Sequence, residues 1–138
     1  MSLLIHCKGR PVEKYEVFNS PTPMSTESHV KIPHGICLDF ILKETQARMP
    51  YAQFIEQQFA LQDGPHPTEK DHDGKPVIVQ DANFYAFMKF GLDTFRKKDE
   101  SWSFAMVVRN SHIKRFQLEA AVAAVAHACD NVTVFGGK

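Results

Sequence analysis

Apolar residues recur with a helical period in the segment after Pro33. The spacing i, i+3, i+4, i+7, i+11 is filled by Leu38, Ile41, Leu42, Thr45 and Met49. Because a helix completes a turn every 3.6 residues, this spacing puts all five side chains on one face. Pro50 ends the pattern, since proline has no N–H to donate inside a helix. The sequence therefore predicts a helix with one buried face that begins near Cys37 and ends before Pro50.

Three further segments are predicted as helices. Residues 51–62 end at a glycine–proline pair, which commonly follows a helix. Residues 82–98 follow Asp81, which can cap a helix, and they end in basic side chains that suit the helix dipole. Residues 118–131 repeat the one-faced apolar spacing. Together with the first segment, these give about four helices.

Alternation of apolar and polar residues predicts strands. One run places Trp102, Phe104, Met106 and Val108 on the same side, as a strand with one buried face requires. Residues 112–116 are predicted to return beside this strand after a turn. Shorter runs predict the remaining strands at 3–8, 12–18, 77–79 and 132–135.

In chain order the predicted elements are β-β-α-α-β-α-β-β-α-β. Hairpins dominate this order, so the predicted fold class is α+β, with a mostly antiparallel sheet and about four helices. A chain of 138 residues is expected to form one domain, here 1–138. Within it, residues 19–33 hold three prolines and are predicted as a long loop, and residues 136–138 as a flexible tail.

Composition narrows the range of partners. Lys plus Arg and Asp plus Glu are each 16, so the chain lacks the basic field on which non-specific nucleic-acid and anionic-membrane binding depend. No apolar run reaches the roughly 20 residues of a membrane span. Three widely separated cysteines favour a reducing compartment, and the cytoplasm is the predicted location. We therefore expect neither a nucleic acid nor a membrane as a partner.

The motifs give no reason to expect a cofactor or a metal. The seven glycines form neither common phosphate-binding pattern, and no cysteine or histidine pair has zinc-ligand spacing. Residues 71–74 resemble the start of a calcium loop. Such a loop needs Gly at its sixth position and Glu at its twelfth, where this chain has Pro76 and Ala82. The segment is interpreted as a polar connection with a turn.

Cys37 is the residue that most suggests covalent chemistry. It lies where the first predicted helix begins, and a helix N-terminus lowers the pKa of a thiol and stabilises the thiolate. Its place on the flank of the apolar stripe would leave it accessible. His34, three residues earlier, could cap the helix or lower the thiol pKa as an imidazolium. The alternative is that Cys37 is a small buried apolar residue, as free cysteines often are.

A nucleophilic cysteine needs a base and a group that orients the base. His112 is the candidate base, and Asp130 or Asn131 is the candidate orienting group. The order of Cys37, His112 and Asp130 resembles the arrangement in papain-like cysteine hydrolases, which implies a thiol-dependent hydrolase or acyl-transfer activity. The resemblance covers only the order of residue types. It departs from the family at Lys31, where papain-like enzymes have a glutamine that helps form the oxyanion hole.

Aromatic residues crowd the segment 82–98. Phe84, Phe87 and Phe90 spread around more than one face of the predicted helix, which indicates deep packing, a pocket or an oligomer contact. Together with Trp102, they are the candidate lining of a ligand site.

Two functions of different class follow. The first, which we favour, is a non-catalytic module that binds a protein partner or an apolar small molecule and could form a homo-oligomer. The second is the thiol-dependent hydrolase with Cys37, His112 and Asp130 as its catalytic residues.

Overall fold

A computed structural model describes residues 8–25, 30–50, 52–92 and 102–126. These residues form five strands, which pair in chain order as one antiparallel sheet, β1-β2-β3-β4-β5, and two helices. The strands are β1 (Arg10–Val12), β2 (Ala52–Lys70), β3 (Pro76–Leu92), β4 (Trp102–Ser111) and β5 (Glu119–Ala126), and the helices are α1 (Lys14–Asn19) and α2 (His34–Arg48).

Helix α2 packs its apolar face on the sheet. The buried core consists of Val17, Leu38, Phe59, Leu61, Phe84, Ala86, Met88, Phe90, Met106 and Val108. Ile41, Leu42 and Met49 are partly buried against this core, so the apolar stripe predicted for the helix faces the sheet. Pro33 immediately precedes α2, and the helix ends before Pro50.

Strand β3 is buried on both faces. Side chains along a strand alternate between faces, so Phe84 and Phe90 share the core with Leu38, while Phe87 lies on the opposite face. Phe87 is buried as well, and so is its register partner Val107 on β4. A strand buried on both sides has apolar residues at consecutive positions instead of a simple alternation.

Strands β2 and β3 change register near one end of the sheet. Gln62 pairs with Asn83, but Gly64 pairs with Val79, so β3 carries extra residues in this stretch. Asp81 lies among them with a φ of 50°, in the left-handed region that non-glycine residues seldom adopt. The irregularity therefore redirects the backbone of β3 where it approaches α2.

Helix α1 contacts the start of α2 at Gly35. A Cβ atom at this position would lie 2.9 Å from the Cα atom of Phe18, so only glycine allows the two backbones to approach this closely. Of the helices in the described ranges, none is both long and apolar enough to cross a membrane.

The predicted number and order of elements are wrong. The described residues follow the order β-α-α-β-β-β-β with two helices, in place of β-β-α-α-β-α-β-β-α-β with about four. The mostly antiparallel sheet and the broad α+β composition agree with the prediction. The described parts of the predicted helices 51–62, 82–98 and 118–131 form β2, β3 and β5.

Strand pairing explains these three errors. β2, β3 and β5 each form a long ladder with a neighbour, and the burial gained there outweighs the local preference of Ala and Gln for a helix. The strand predicted at 12–18 is also wrong, because it holds the end of β1 and most of α1. Residues 112–116 bend instead of forming a strand. Of the predicted strand 3–8 only Lys8, in a turn, is described, and the predicted strand 132–135 and the tail 136–138 lie outside the described residues.

Candidate functional site

Buried polar side chains gather at the end of the sheet where the ladder between β3 and β4 starts. The register there places Asn83 opposite Ser111. We name this group the polar end, and its members are His34, Asp81, Asn83, Asn110, Ser111 and His112, all of them buried. Buried polar groups are stable only with hydrogen-bond partners, so the bonds at the polar end define its geometry.

His34, the first residue of α2, has a partner at each ring nitrogen. Its Nε2 donates to the carbonyl oxygen of Asp81 at 2.7 Å, and its Nδ1 accepts from Asn110 Nδ2 at 3.0 Å. These partners assign the neutral tautomer with the proton on Nε2. Burial, and secondarily the charge of His112, lowers the pKa of His34 from 6.5 to about 3.

His112 stacks on His34, with ring centroids 3.9 Å apart and ring planes 7° from parallel. Its Nε2 donates to the carbonyl oxygen of Ile32 at 2.9 Å, and its backbone N–H donates to the carbonyl of Ala82 at 2.8 Å. Asn110 Nδ2 also donates to the carbonyl oxygen of Ile32, at 2.9 Å. The carbonyl of Ile32 therefore accepts two hydrogen bonds, which fix the segment before α2 against the sheet.

Asp81 presents its carbonyl to His34 because of its left-handed conformation. Its N–H donates to Asp63 Oδ1 at 2.8 Å, and its own Oδ1 accepts from the Arg10 guanidinium at 2.9 Å. The backbone and side chain of Asp81 thus join β1, β2 and α2 at one point.

A second network fixes the bend after β4. Ser111 Oγ donates to Asn83 Oδ1 at 2.7 Å, and Asn83 Nδ2 donates to Gln62 Oε1 at 3.1 Å. The backbone N–H groups of Ile113 and Arg115 each donate to Ser111 Oγ at 3.2 Å. The Ser111 hydroxyl therefore organises the bend and gives its proton to an amide instead of to a base.

A cavity of about 470 Å³ opens beside the polar end. Its lining comes from the segment before α2 and from the end of β4 with the residues after it. The eight lining residues are Val30, Ile32, Asn110, Ser111, Lys114, Phe116, Gln117 and Leu118. Four of them are apolar, and Lys114 is the one charged residue among the eight. The volume falls within the range of about 300–1,000 Å³ that is usual for small-molecule sites.

Phe116 lines this cavity, and neighbouring side chains hold its ring in place. The Tyr85 ring lies 5.5 Å from it, centroid to centroid, and the Arg109 guanidinium lies 4.7 Å above its ring centroid. Arg109 is held in turn by Glu119, at 2.6 Å from Nη2 to Oε2. These contacts fix the ring beside the opening.

Of the three predicted thiol-site residues, the structure describes Cys37 and His112. Cys37 lies in the first turns of α2 with only 3% of its surface exposed, and burial raises its pKa from 9.0 to about 11. This direction is opposite to that of an activated thiol. His112 is stacked on His34 and donates to Ile32, as described above. Asp130 lies outside the described residues.

Three of the four predicted ligand-lining residues lie outside the cavity lining. Phe84, Phe87 and Phe90 are buried in the two faces of β3, and none is among the eight lining residues. Trp102 is described here only as the first residue of β4.

The cavity residues do not stand out in the sequence pattern. A usable signal is the run Arg109–His112, four polar residues that follow an unbroken apolar stretch of β4. The sequence predicts a turn at Asn110 and Ser111, because both residue types favour turns. The structure buries them at the strand end instead.

Comparisons with known proteins leave the site to be interpreted from its own geometry. Neither a model of a protein family, nor a curated protein, nor a solved structure gives a significant match to this chain. Within the described ranges, no group of three or more His, Cys, Asp or Glu residues is placed to hold a metal ion.

Proposed function

We propose that the protein is a non-catalytic module that binds a small amphipathic molecule, with an apolar body and an anionic group, in the cavity beside the polar end. The observation that carries this proposal is the composition of the lining. Four apolar and four polar residues share one cavity of small-molecule size, next to a fixed hydrogen-bond network.

The apolar part of the lining supports an apolar ligand body. Val30, Ile32 and Leu118 are large apolar side chains with exposed surface, and all three face the same cavity. Covering them removes apolar surface from water, which contributes about 25 cal/mol for each Å² buried. A ligand with an aromatic or branched aliphatic body fits these walls.

The polar part of the lining supports an anionic group on the ligand. Lys114 supplies a positive charge, and no acidic residue is among the eight lining residues. Gln117 adds a side-chain amide that can donate a hydrogen bond, whereas the donors of Asn110 and Ser111 are engaged within the polar end. A carboxylate or sulfonate that reaches Lys114 gains a charge-assisted hydrogen bond, which is stronger than one between neutral groups.

The test uses 8-anilino-1-naphthalenesulfonate, an anion with an aromatic body that fluoresces in apolar surroundings. We expect one saturable site per chain at pH 7.5, and at least about tenfold weaker binding in Leu118→Asp, because a buried Leu contributes roughly 1.5–3 kcal/mol. Lys114→Gln should weaken this probe more than the uncharged N-phenyl-1-naphthylamine.

The matched control is Ile78→Asp, which places the same charge at an exposed apolar residue of β3 outside the cavity lining. This variant should bind the probe as the unmodified chain does. Equal binding by the Leu118→Asp chain, or loss of binding in the Ile78→Asp chain, would contradict the proposal. Near-ultraviolet circular dichroism checks that each variant is folded.

The partner-protein and homo-oligomer interpretations stay predictions. Ile36 and Phe40 lie one helical turn apart on α2, and 60% and 61% of their surfaces are exposed. These two side chains are where the predicted contact with a partner protein or a second copy of the chain would lie.

The thiol-hydrolase alternative also stays a prediction, and we do not favour it. A buried thiol with a raised pKa holds little thiolate at neutral pH. The candidate base, His112, is stacked on a second histidine and donates its Nε2 proton to a backbone carbonyl. These observations favour the binding module.

A further inference from the structure

The hydrogen bonds around His34 specify a neutral ring. Its Nδ1 must accept, because the atom that faces it at 3.0 Å is the donor Asn110 Nδ2. The same Nδ2 donates to the carbonyl oxygen of Ile32 at 2.9 Å. Turning the Asn110 amide over would offer an oxygen to a protonated His34, but it would also place that oxygen against the Ile32 carbonyl. The Asn110 amide therefore has one favourable orientation.

The same bonds hold one wall of the cavity. Four side-chain hydrogen bonds tie residues 32–34 to the sheet and the residue after it. His112 Nε2 and Asn110 Nδ2 donate to the carbonyl oxygen of Ile32, Asn110 Nδ2 also donates to His34 Nδ1, and His34 Nε2 donates to the carbonyl oxygen of Asp81. Ile32 and Val30 line the cavity from this segment. The position of this wall therefore depends on both imidazole rings.

We propose that the stacked pair of His34 and His112 is an acid-sensitive latch, which holds residues 30–33 against the sheet at neutral pH and releases them when the pair takes up a proton. This inference rests on the proposed function: the cavity binds its ligand at neutral pH and releases it at acidic pH. The latch consists of the two rings, Asn110, and the carbonyl groups of Ile32 and Asp81.

Protonation disrupts the latch in two ways. A proton on His34 Nδ1 replaces the acceptor that Asn110 requires with a second donor. It also puts a positive charge in a ring stacked 3.9 Å from a second titratable ring, in buried surroundings where charges are poorly screened. In the released form the rings gain water, which hydrates the imidazolium.

The charged groups around His34 do not supply a ready counter-ion. From β3, Asp81 offers its carbonyl to the ring while its carboxylate binds Arg10 of β1 at 2.9 Å. From β2, Asp63 accepts the backbone N–H of Asp81 at 2.8 Å. On α2 itself the nearest titratable group along the helix is the Cys37 thiol, whose raised pKa keeps it uncharged.

The sign of the pH dependence follows from the lowered pKa of His34. Above pH 6.5 the His34 ring is neutral in both the closed and the released forms, so closure is fully favoured. Between 6.5 and about 3 the released form takes up a proton that the closed form resists. Each pH unit in this interval shifts the balance between the two forms about tenfold toward release for the one proton taken up by His34.

Amide hydrogen exchange between pH 7.5 and 4.5 tests the latch without any ligand. The peptide covering residues 30–40 contains the Lys31 N–H, which donates to Ser25 Oγ, and the Cys37 N–H, which donates to the Pro33 carbonyl. We expect its protection, after correction for the intrinsic exchange rate, to fall about tenfold per pH unit once release begins below 6.5. The peptide covering residues 84–90 in the core should keep its protection.

The matched variants are His34→Gln with His112→Gln, and His72→Gln. A glutamine can donate and accept as a neutral imidazole does but does not titrate, so the double variant should show little pH dependence in residues 30–40. His72 is exposed in a turn, so its variant should behave as the unmodified chain does. If the double variant fails to fold, the pH dependence of exchange in the unmodified chain still tests the latch. Protection that is constant down to pH 4.5, or that falls equally in residues 84–90, overturns the latch.

The two proposals fail separately. A pH-dependent release of residues 30–40 with no binding of 8-anilino-1-naphthalenesulfonate at pH 7.5 would leave the latch intact and remove the ligand site. Binding of that probe with the same affinity at pH 7.5 and 5.0 would support the cavity and contradict its control by the latch, since the sulfonate stays ionised over this range. Loss of affinity in acid that the double glutamine variant does not show is the result expected.

Discussion

Phe84 and His34 touch, with ring centroids 5.4 Å apart, and both are fully buried. On one side of this contact lies the apolar core between α2 and the middle of the sheet. On the other side lies the polar end, with two histidines, two asparagines, an aspartate and a serine. The two regions have nearly the same access to water, but different interactions hold them together.

The difference shows what each region can tolerate. Apolar packing is non-directional, so the core is stabilised in proportion to the surface it buries and tolerates rearrangement of its side chains. The polar end is stabilised only while each donor faces an acceptor, because an unpaired buried polar group costs about 1–3 kcal/mol. The stability of the core therefore depends on the size of its side chains, whereas the stability of the polar end depends on hydrogen-bond direction and protonation.

The largest effect should come from a cavity in the core. Phe90 is fully buried and stacks near Phe104 at 6.0 Å, so Phe90→Ala should lower the free energy of unfolding by about 3–5 kcal/mol. Urea unfolding at pH 7.5 and at pH 5.5 should give the same loss, since no titratable group is removed.

The control for this variant is Phe40→Ala on the exposed face of α2. It should change the unfolding free energy by no more than about 0.5 kcal/mol. A small loss in Phe90→Ala would mean that the core is not close-packed at this position, and the comparison between the two regions would break down.

Cys37 provides the next test, because it lies on α2 beside the core residue Leu38 and one turn after His34. With a pKa of about 11 it should react with iodoacetamide at pH 8 at least about a hundredfold more slowly than a thiol of ordinary pKa, near 8.5. Mass spectrometry after alkylation of the native and the urea-unfolded chain measures the ratio for this residue alone. Rapid native alkylation that slows in His112→Ala would favour the hydrolase over the binding module.

A smaller loss of stability is expected at Asn110, where a polar residue is replaced by a larger apolar one. If burial of apolar surface governed the polar end, Asn110→Leu would stabilise the protein. Because Ile32 and His34 each lose a donor, we expect a loss of about 1–3 kcal/mol instead. Val108→Leu, two residues earlier on the same face of β4, is the matched control and tests overpacking without removing a hydrogen bond. Urea unfolding of both variants at pH 7.5 gives the comparison, and an unchanged or raised stability in Asn110→Leu would show that the hydrogen bonds contribute little.

The sequence predicts most clearly the helix with one buried face. The apolar stripe of α2 is read correctly, because a single buried face leaves a clear period in the sequence. The alternation along β4 also predicts a strand, although the structure buries Met106 and Val107 on opposite faces of it. The stretch around Phe84, Phe87 and Phe90 is buried on both faces of β3. It has no period, and its aromatic residues, which spread around a helical wheel, predict a crowded helix instead of a strand.

The alanines of β5 show a second limit. Residues 119–126 contain only Ala and Val after Glu119, a composition that locally favours a helix over a strand. The ladder with β4, from Trp102 paired with Ala126 to Arg109 paired with Glu119, forms a strand instead. Such pairing depends on residues far away along the chain, which a local pattern does not contain.

The candidate site shows a third limit. The sequence singles out His34 and His112, but it relates both to Cys37 instead of to each other. Their stacking depends on the bulge at Asp81 and on the bend that Ser111 stabilises. Neither feature has a sequence period, and each follows only from the register of β2, β3 and β4.

The hydrogen bonds of the polar end also join distant points of the chain. Arg10 and Asp81 are 71 residues apart, Ile32 and Asn110 are 78 apart, and Ile32 and His112 are 80 apart. Closing loops of this length costs entropy that neighbouring strands in a hairpin do not lose, so these contacts are intrinsically slow to form. The two imidazole rings meet only after α2 has docked and the sheet has been completed through β4. The two rings therefore stack only late in folding, and the stacked pair is absent from any partly folded form that lacks either the helix or the last strands.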